Sequence, residues 1–272
     1  MPSVPLTGAL KAAYEKLFND CHVRAENQAE VESIVARLAA NKARYQTVAA
    51  PLGAPWYFVA VIHNMESSQS FGKHLHNGDP LTARTVQVPK GFPKTGSPPF
   101  TWETSARDAL TLKKINAWQD WSVGGLLYKL EEYNGWGYRL HHPHVLSPYL
   151  WACSSHYTSG KYIRDGLWDD NAKSKQCGAA TLLRRMAEKD LIELASTGAT
   201  AGAGVGAGMG TAEPILRYSA TDDVIAHAAN LQTFLNQLPG IFVKVDGQPG
   251  RKTSDAFKKA FGFYLLGDPR AD

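Results

Sequence analysis

No stretch of the 272-residue chain approaches the roughly 18 to 20 consecutive apolar residues that a membrane-spanning helix requires. The N-terminus, MPSVPLTGALKAAYEKL, lacks a basic start followed by a long apolar run, so no secretory signal peptide is read there. Cysteine is scarce. Cys21, Cys153 and Cys177 are odd in number and lack metal-site spacing, which permits one disulfide or three buried thiols. There is no His-Glu-x-x-His helix and no internal repeat of solenoid length. Dense positive charge is missing as well. Lysine and arginine cluster only as pairs on expected helix surfaces (Lys113-Lys114, Arg184-Arg185, Arg251-Lys252, Lys258-Lys259), which argues against nucleic-acid binding.

What is present is ample material for a core: 44% hydrophobic residues and seven tryptophans. The formal net charge of +4 suits an anionic polymer without requiring one. The clearest boundary is the run from Ser196 to Gly210, STGATAGAGVGAGMG, in which glycine and alanine offer almost nothing to pack. It divides the chain into a large domain over 1–195, a linker over 196–211 and a small domain over 212–272.

The large domain reads as mainly α. Helical spacing runs from Leu10 to Tyr45, through WYFVAVIHNMES after Pro55, and again through TSARDALTLKKINAW, SVGGLLYKLEEYN and Asn171 to Leu194. Between these, FGKHLHNGDPLTARTVQVPKG carries an Asn77-Gly78 turn signal and β-favouring Thr82, Thr85, Val86 and Val88, so a small β-hairpin is expected there. The small domain reads as a three-helix module.

Glu66 ends an apolar helix in which Trp56, Phe58, Val59, Val61, Ile62 and Met65 surround it in sequence. Partial desolvation raises a carboxyl pKa and lets the group keep a proton near neutrality, which is what a general acid needs at a departing glycosidic oxygen. Asp79 lies thirteen residues on, at the turn, where a second carboxylate can hold water or offset positive charge on a sugar ring. Each also has a plainer reading, as a solvated helix end and a turn residue. Aromatic residues are dense from Trp102 to Trp151, and aromatic faces stack on sugars as readily as they fill cores.

The segments HNMESSQSF around Glu66 and LEEYNGWGYR around Tyr133 and Asn134 resemble, in order and spacing, the lysozyme-like superfamily, in particular goose-type lysozymes and soluble lytic transglycosylases. The run HYTSGKYIRDGLWDDNAKSKQCGA is also similar to phage and bacterial proteins of that kind. The resemblance implies Glu66 as catalytic acid, Asp79 as its partner, Thr85 as a water-positioning hydroxyl, and Tyr133 and Asn134 beside bound sugar. The Gly-Leu-Met-Gln motif that follows the catalytic Glu of transglycosylases is absent, which favours hydrolysis by water.

In the small domain, Leu231-Gln232, Val245-Asp246-Gly247, Gly250, Thr253 and Phe257 resemble the type-1 peptidoglycan-binding domain, with Ala260-Phe261-Gly262 where a closing Phe-Gln is usual. The two resemblances together imply a muramidase-like peptidoglycan hydrolase. It would need no cofactor, act as a monomer on glycan strands in the periplasm or outside the cell, and reach them by lysis or a dedicated export route. Two alternatives stay open. One is a zinc-dependent wall amidase or peptidase using His63, His74, His76, His141, His142 or His144; the other is a wall-binding protein without catalysis.

Overall fold

The computed structural model describes residues 4–164, 166–194, 216–221 and 226–271, the backbone alone at Ala226. The segment over 196–211 expected to be a linker lies outside them. The described residues hold eleven helices and one two-stranded antiparallel hairpin. In chain order the helices are α1 (Gly8–Asn19), α2 (Gln28–Ala40), α3 (Lys42–Ala49), α4 (Trp56–Ser67), α5 (Trp102–Leu112), α6 (Val123–Asn134), α7 (Gly137–His141), α8 (Pro148–Trp151) and α9 (Ala179–Glu188), then α10 (Ala226–Leu235) and α11 (Arg251–Phe261). The strands are β1 (Lys161–Arg164) and β2 (Leu167–Asp169), paired Lys161 to Asp169 and Tyr162 to Trp168. No helix among these residues is long and apolar enough to cross a membrane.

The chain is thus mainly helical with one small hairpin, but the hairpin is not where the sequence suggested. Residues 71–91 form an irregular loop with a single bridge between Lys73 and Pro80. Pro80 and Pro89 supply no backbone donor, and several amides of the loop are taken by side chains rather than by a facing strand. Of the three helices expected in the small domain, its described residues carry two, α10 and α11.

Helix α4 is the centre of the large domain. Every residue from Tyr57 to Asn64 is buried, as befits a helix apolar on all sides, and α2, α3, α6 and α9 pack around it. Helix α1 starts on a Thr7 cap whose hydroxyl accepts from the Leu10 amide, and it lies along α6. Gly124 permits that approach, since a β-carbon there would sit 2.9 Å from the Lys11 carbonyl oxygen. Cys153 and Cys177 are disulfide-bonded; Cys21 is free and buried, and burial pushes its thiol up to about 12.

The small domain is organised by one side chain. The Gln232 amide nitrogen lies 2.8 to 3.0 Å from acceptors on Asp246, Gln248 and Thr253, and its carbonyl accepts from the amides of Asp246 and Gly247. The sequence pattern around Gln232, Asp246-Gly247 and Thr253 is therefore a hydrogen-bonded frame. Over it lies a small core of Leu235, Ile241, Val243 and Ala256.

This module docks on the large domain. Phe242 packs edge-on against Phe18 of α1 at 5.3 Å between ring centroids. The fully buried Arg184 of α9 donates to the carbonyls of Phe18 and Asn19, which end α1, and to the carbonyl of Val243. Its charge is matched by Glu188 at 3.0 Å. Lys252 adds bonds to Asp190 and to the Glu188 carbonyl.

Candidate active site

Glu66 stands in the last turn of α4, and the chain reverses directly after it. Ser68 and Gln69 both adopt left-handed backbone (φ 51° and 63°), and their amides donate to the carbonyls of Asn64 and His63. Two successive non-glycine residues in that region are costly, and such strain concentrates where geometry is constrained by function. The Gln176 side chain donates to the Asn64 and Met65 carbonyls, so the helix end is held from the far side by the residue next to the disulfide. The returning loop passes close over the helix. At Gly78, φ is 80° and an added β-carbon would lie 3.8 Å from the Glu66 carbonyl oxygen. Asp79 follows at once.

The two carboxyls have opposite surroundings. Burial raises the pKa of Glu66, opposed by a hydrogen bond that the Tyr149 hydroxyl donates to Oε1 at 3.1 Å and by the nearby Lys113 charge. Asp79 is held below the usual carboxylate range. Its Oδ2 accepts from the amides of Gln87 (3.1 Å) and Val86 (2.8 Å) and from the Asn77 side chain (3.0 Å). One group thus favours its protonated form and the other its ionised form, the separation that acid–base catalysis by two carboxyls requires.

Tyr133, at the end of α6, is buried and raised well above the ordinary phenol range by burial and by the Glu66 charge. Lys113 donates to its carbonyl at 3.2 Å and lies 4.8 Å from its ring centroid. Asn134 follows, exposed. Thr85 is differently engaged. It is buried, its hydroxyl donates to the Pro89 carbonyl and accepts from the Phe92 amide, and so it clasps the loop whose amides hold Asp79. Its one hydroxyl hydrogen is thereby spent within the loop.

Tyr149, on α8, is the neighbour that sequence reading missed. It lies 83 positions from Glu66, and no local pattern distinguishes it from the other aromatics of that region. Tyr149→Phe removes a bond that favours the carboxylate, so it raises the Glu66 pKa further. Should Glu66 act as a proton donor, the basic limb of the pH–rate profile moves upward by about one pH unit, from a charged hydrogen bond of roughly 1.5 kcal/mol. An unmoved basic limb in a kcat/KM titration would separate Tyr149 from the chemistry.

His63, His74 and His76 have protein partners, and His142 stacks on Trp168 at 3.5 Å between ring centroids. His63 faces the Tyr45 hydroxyl at 3.1 Å and is lowered to about 4 by burial. His74 bonds Ser105 and the Ala83 carbonyl, and His76 pairs with Asp108. Among the described residues, the one group of three with metal-ligand proximity is Glu30, Cys153 and Cys177, whose two sulfurs are bonded to each other. No family model, curated protein or solved structure matches the chain.

Proposed function

We propose that the protein hydrolyses the β-1,4 glycosidic bond of peptidoglycan, with a lysozyme-like large domain as the catalytic part and the small domain as a wall-binding module. The observation that carries this reading is the opposed titration of Glu66 and Asp79 on one loop-over-helix junction. Glu66 donates its proton to the glycosidic oxygen as the C1–O bond breaks. Asp79 accepts a proton from the water that attacks C1, and product release with proton exchange restores both groups. All three hydrogen bonds to the Asp79 carboxylate fall on Oδ2, which leaves Oδ1 for that water. Tyr133 and Asn134 flank the sugar, and Tyr149 orients the acid.

The zinc-dependent alternative gains nothing from His63, His74 and His76, which serve packing and loop contacts. The test is digestion of purified peptidoglycan with the soluble products read by mass spectrometry. Reducing muropeptides are expected, unchanged by a chelator. Anhydro-muropeptides would remove Asp79 from the mechanism, and freed stem peptides lost on chelation would replace the glycosidase reading with the metal one. A protein that pellets with the wall and releases nothing is a binder without catalysis.

A further inference from the structure

Two side chains from distant parts of the chain reach the end of α4, and one covalent bond joins the segments that carry them. Tyr149 of α8 donates to the Glu66 carboxyl at 3.1 Å. Gln176 donates to the Asn64 and Met65 carbonyls at 3.0 and 2.8 Å. The disulfide links Cys153, just past the end of α8, to Cys177, the residue after Gln176. Close packing reinforces the tie: the Gly178 amide donates to the Ala152 carbonyl, and an added β-carbon at Gly178 would lie 2.3 Å from the Leu150 carbonyl oxygen. The two cysteines differ in setting. Cys177 is fully buried, whereas Cys153 is partly exposed and holds left-handed backbone at φ 68°. A non-glycine residue stays in that region only while its surroundings hold it there. Breaking the bond removes one such hold and forces the sulfurs apart, from bonding distance to van der Waals contact. Enclosed Cys177 has no room to swing its thiol aside, so the backbone on both sides takes up the movement. That backbone carries both supports of Glu66.

On the reading that Glu66 is the proton donor, we propose that Gln176 is a positioning residue for it and that the Cys153–Cys177 bond locks Gln176 in place, so that reducing this bond turns hydrolysis down. A dithiol supplies the two electrons. One of its thiolates attacks the partly exposed Cys153 sulfur, and the Cys177 sulfur leaves and takes a proton. The second dithiol sulfur then closes the reductant's own disulfide and releases Cys153, which also takes a proton. A carboxylate oxygen of Glu30 lies within 4.8 Å of both sulfurs, and its charge opposes the approach of a thiolate. The lock holds in an oxidising compartment, and chain kept where thiols stay reduced carries a slack site until the bond forms.

The test compares full-length wild type, Gln176→Met and Cys153→Ser, each with and without a dithiol, on soluble peptidoglycan strands. Methionine keeps the length of glutamine but cannot donate. Oxidised Gln176→Met should lose about tenfold in kcat with KM unchanged, because Gln176 holds the helix end and not the substrate. Reduced wild type should show the same loss, recovered on reoxidation, and Cys153→Ser should show it without any dithiol. Reduction should add little to Gln176→Met, since the bond acts through the side chain already removed. Hydrogen exchange over residues 64–70 should quicken in all three lowered states, which reads the loosened helix end without reference to activity. Losses from reduction and from Gln176→Met that multiply would overturn the proposal, as would a reduced wild type that keeps both its rate and its exchange. Collapse of the helical circular dichroism on reduction would make the bond a staple of the whole fold and overturn it also. A wild type that releases no muropeptides, while exchange still follows the bond and Gln176, sinks the hydrolase reading and leaves the lock standing.

Discussion

Glu66→Gln should abolish turnover while leaving the fold intact, with kcat falling by roughly two to four orders of magnitude, the usual contribution of a positioned general acid. Glutamine keeps the size of the side chain and can still accept the Tyr149 hydroxyl bond, but it has no acidic proton to give. The variant should also be at least as stable as wild type at neutral pH. The folded-state pKa of Glu66 is raised by burial, so the folded chain holds that proton more tightly than the unfolded chain. Stability therefore falls as pH rises from the unfolded carboxyl range through the folded value, and the amide removes that penalty. Muropeptide release and thermal melting at pH 4 and pH 7 read both effects. A Gln variant that releases reducing ends at the wild-type rate would make Glu66 a bystander.

Arg184→Ala should cost about 3 to 5 kcal/mol, the range for breaking a buried ion pair from one side, and lower the melting temperature by about 10 °C. The guanidinium is fully buried and ends α1 through the Phe18 and Asn19 carbonyls. It also faces Glu188 and holds the small domain by Val243. Alanine strands all of these acceptors at once, although Arg185 still reaches Glu188. Loss of the Val243 bond and of the guanidinium over the Phe242 ring should also loosen the small domain, read as a larger radius of gyration by solution scattering. A melting shift under 2 °C would mean that the pair is well solvated.

Helix α4 was legible from sequence because its apolar residues occupy every face and Pro55 marks its start, and Glu66 was legible because it follows that run. The loop that follows was misread. Its Asn-Gly turn and β-branched residues carry hairpin propensity, but Asp79 and Thr85 take backbone groups that a partner strand would have needed. In the sequence, Asp165-Gly166 stands between KYIR and LWD, the segments that pair in the hairpin that does form, and is a turn signal as good as Asn77-Gly78. Local propensity did not rank the two. Pairing did, because Tyr162 and Trp168 close on Tyr138 of α7 and His142 just after it, both distant in sequence. The bridge between Cys153 and Cys177 was one of two readings, since spacing alone does not pair thiols. The fully buried Arg184 was invisible for a similar reason. An Arg-Arg pair reads as surface until the carbonyls that surround it are known.

Phe242 wedged against Phe18, with Arg184 closing the seam, bears on the wall-anchoring role proposed for the small domain. A module on a free tether acts as a leash, and its benefit depends on how often the leash lets both parts land. Fixed to α1 and α9, a small domain with the wall-binding role proposed above would behave instead as the second jaw of a caliper whose opening the intervening segment does not set. Lengthening or shortening the 196–211 stretch would then leave the span between the two jaws unchanged. On a polymer with a repeating unit, such a gauge would accept only strands that present both features at that one spacing.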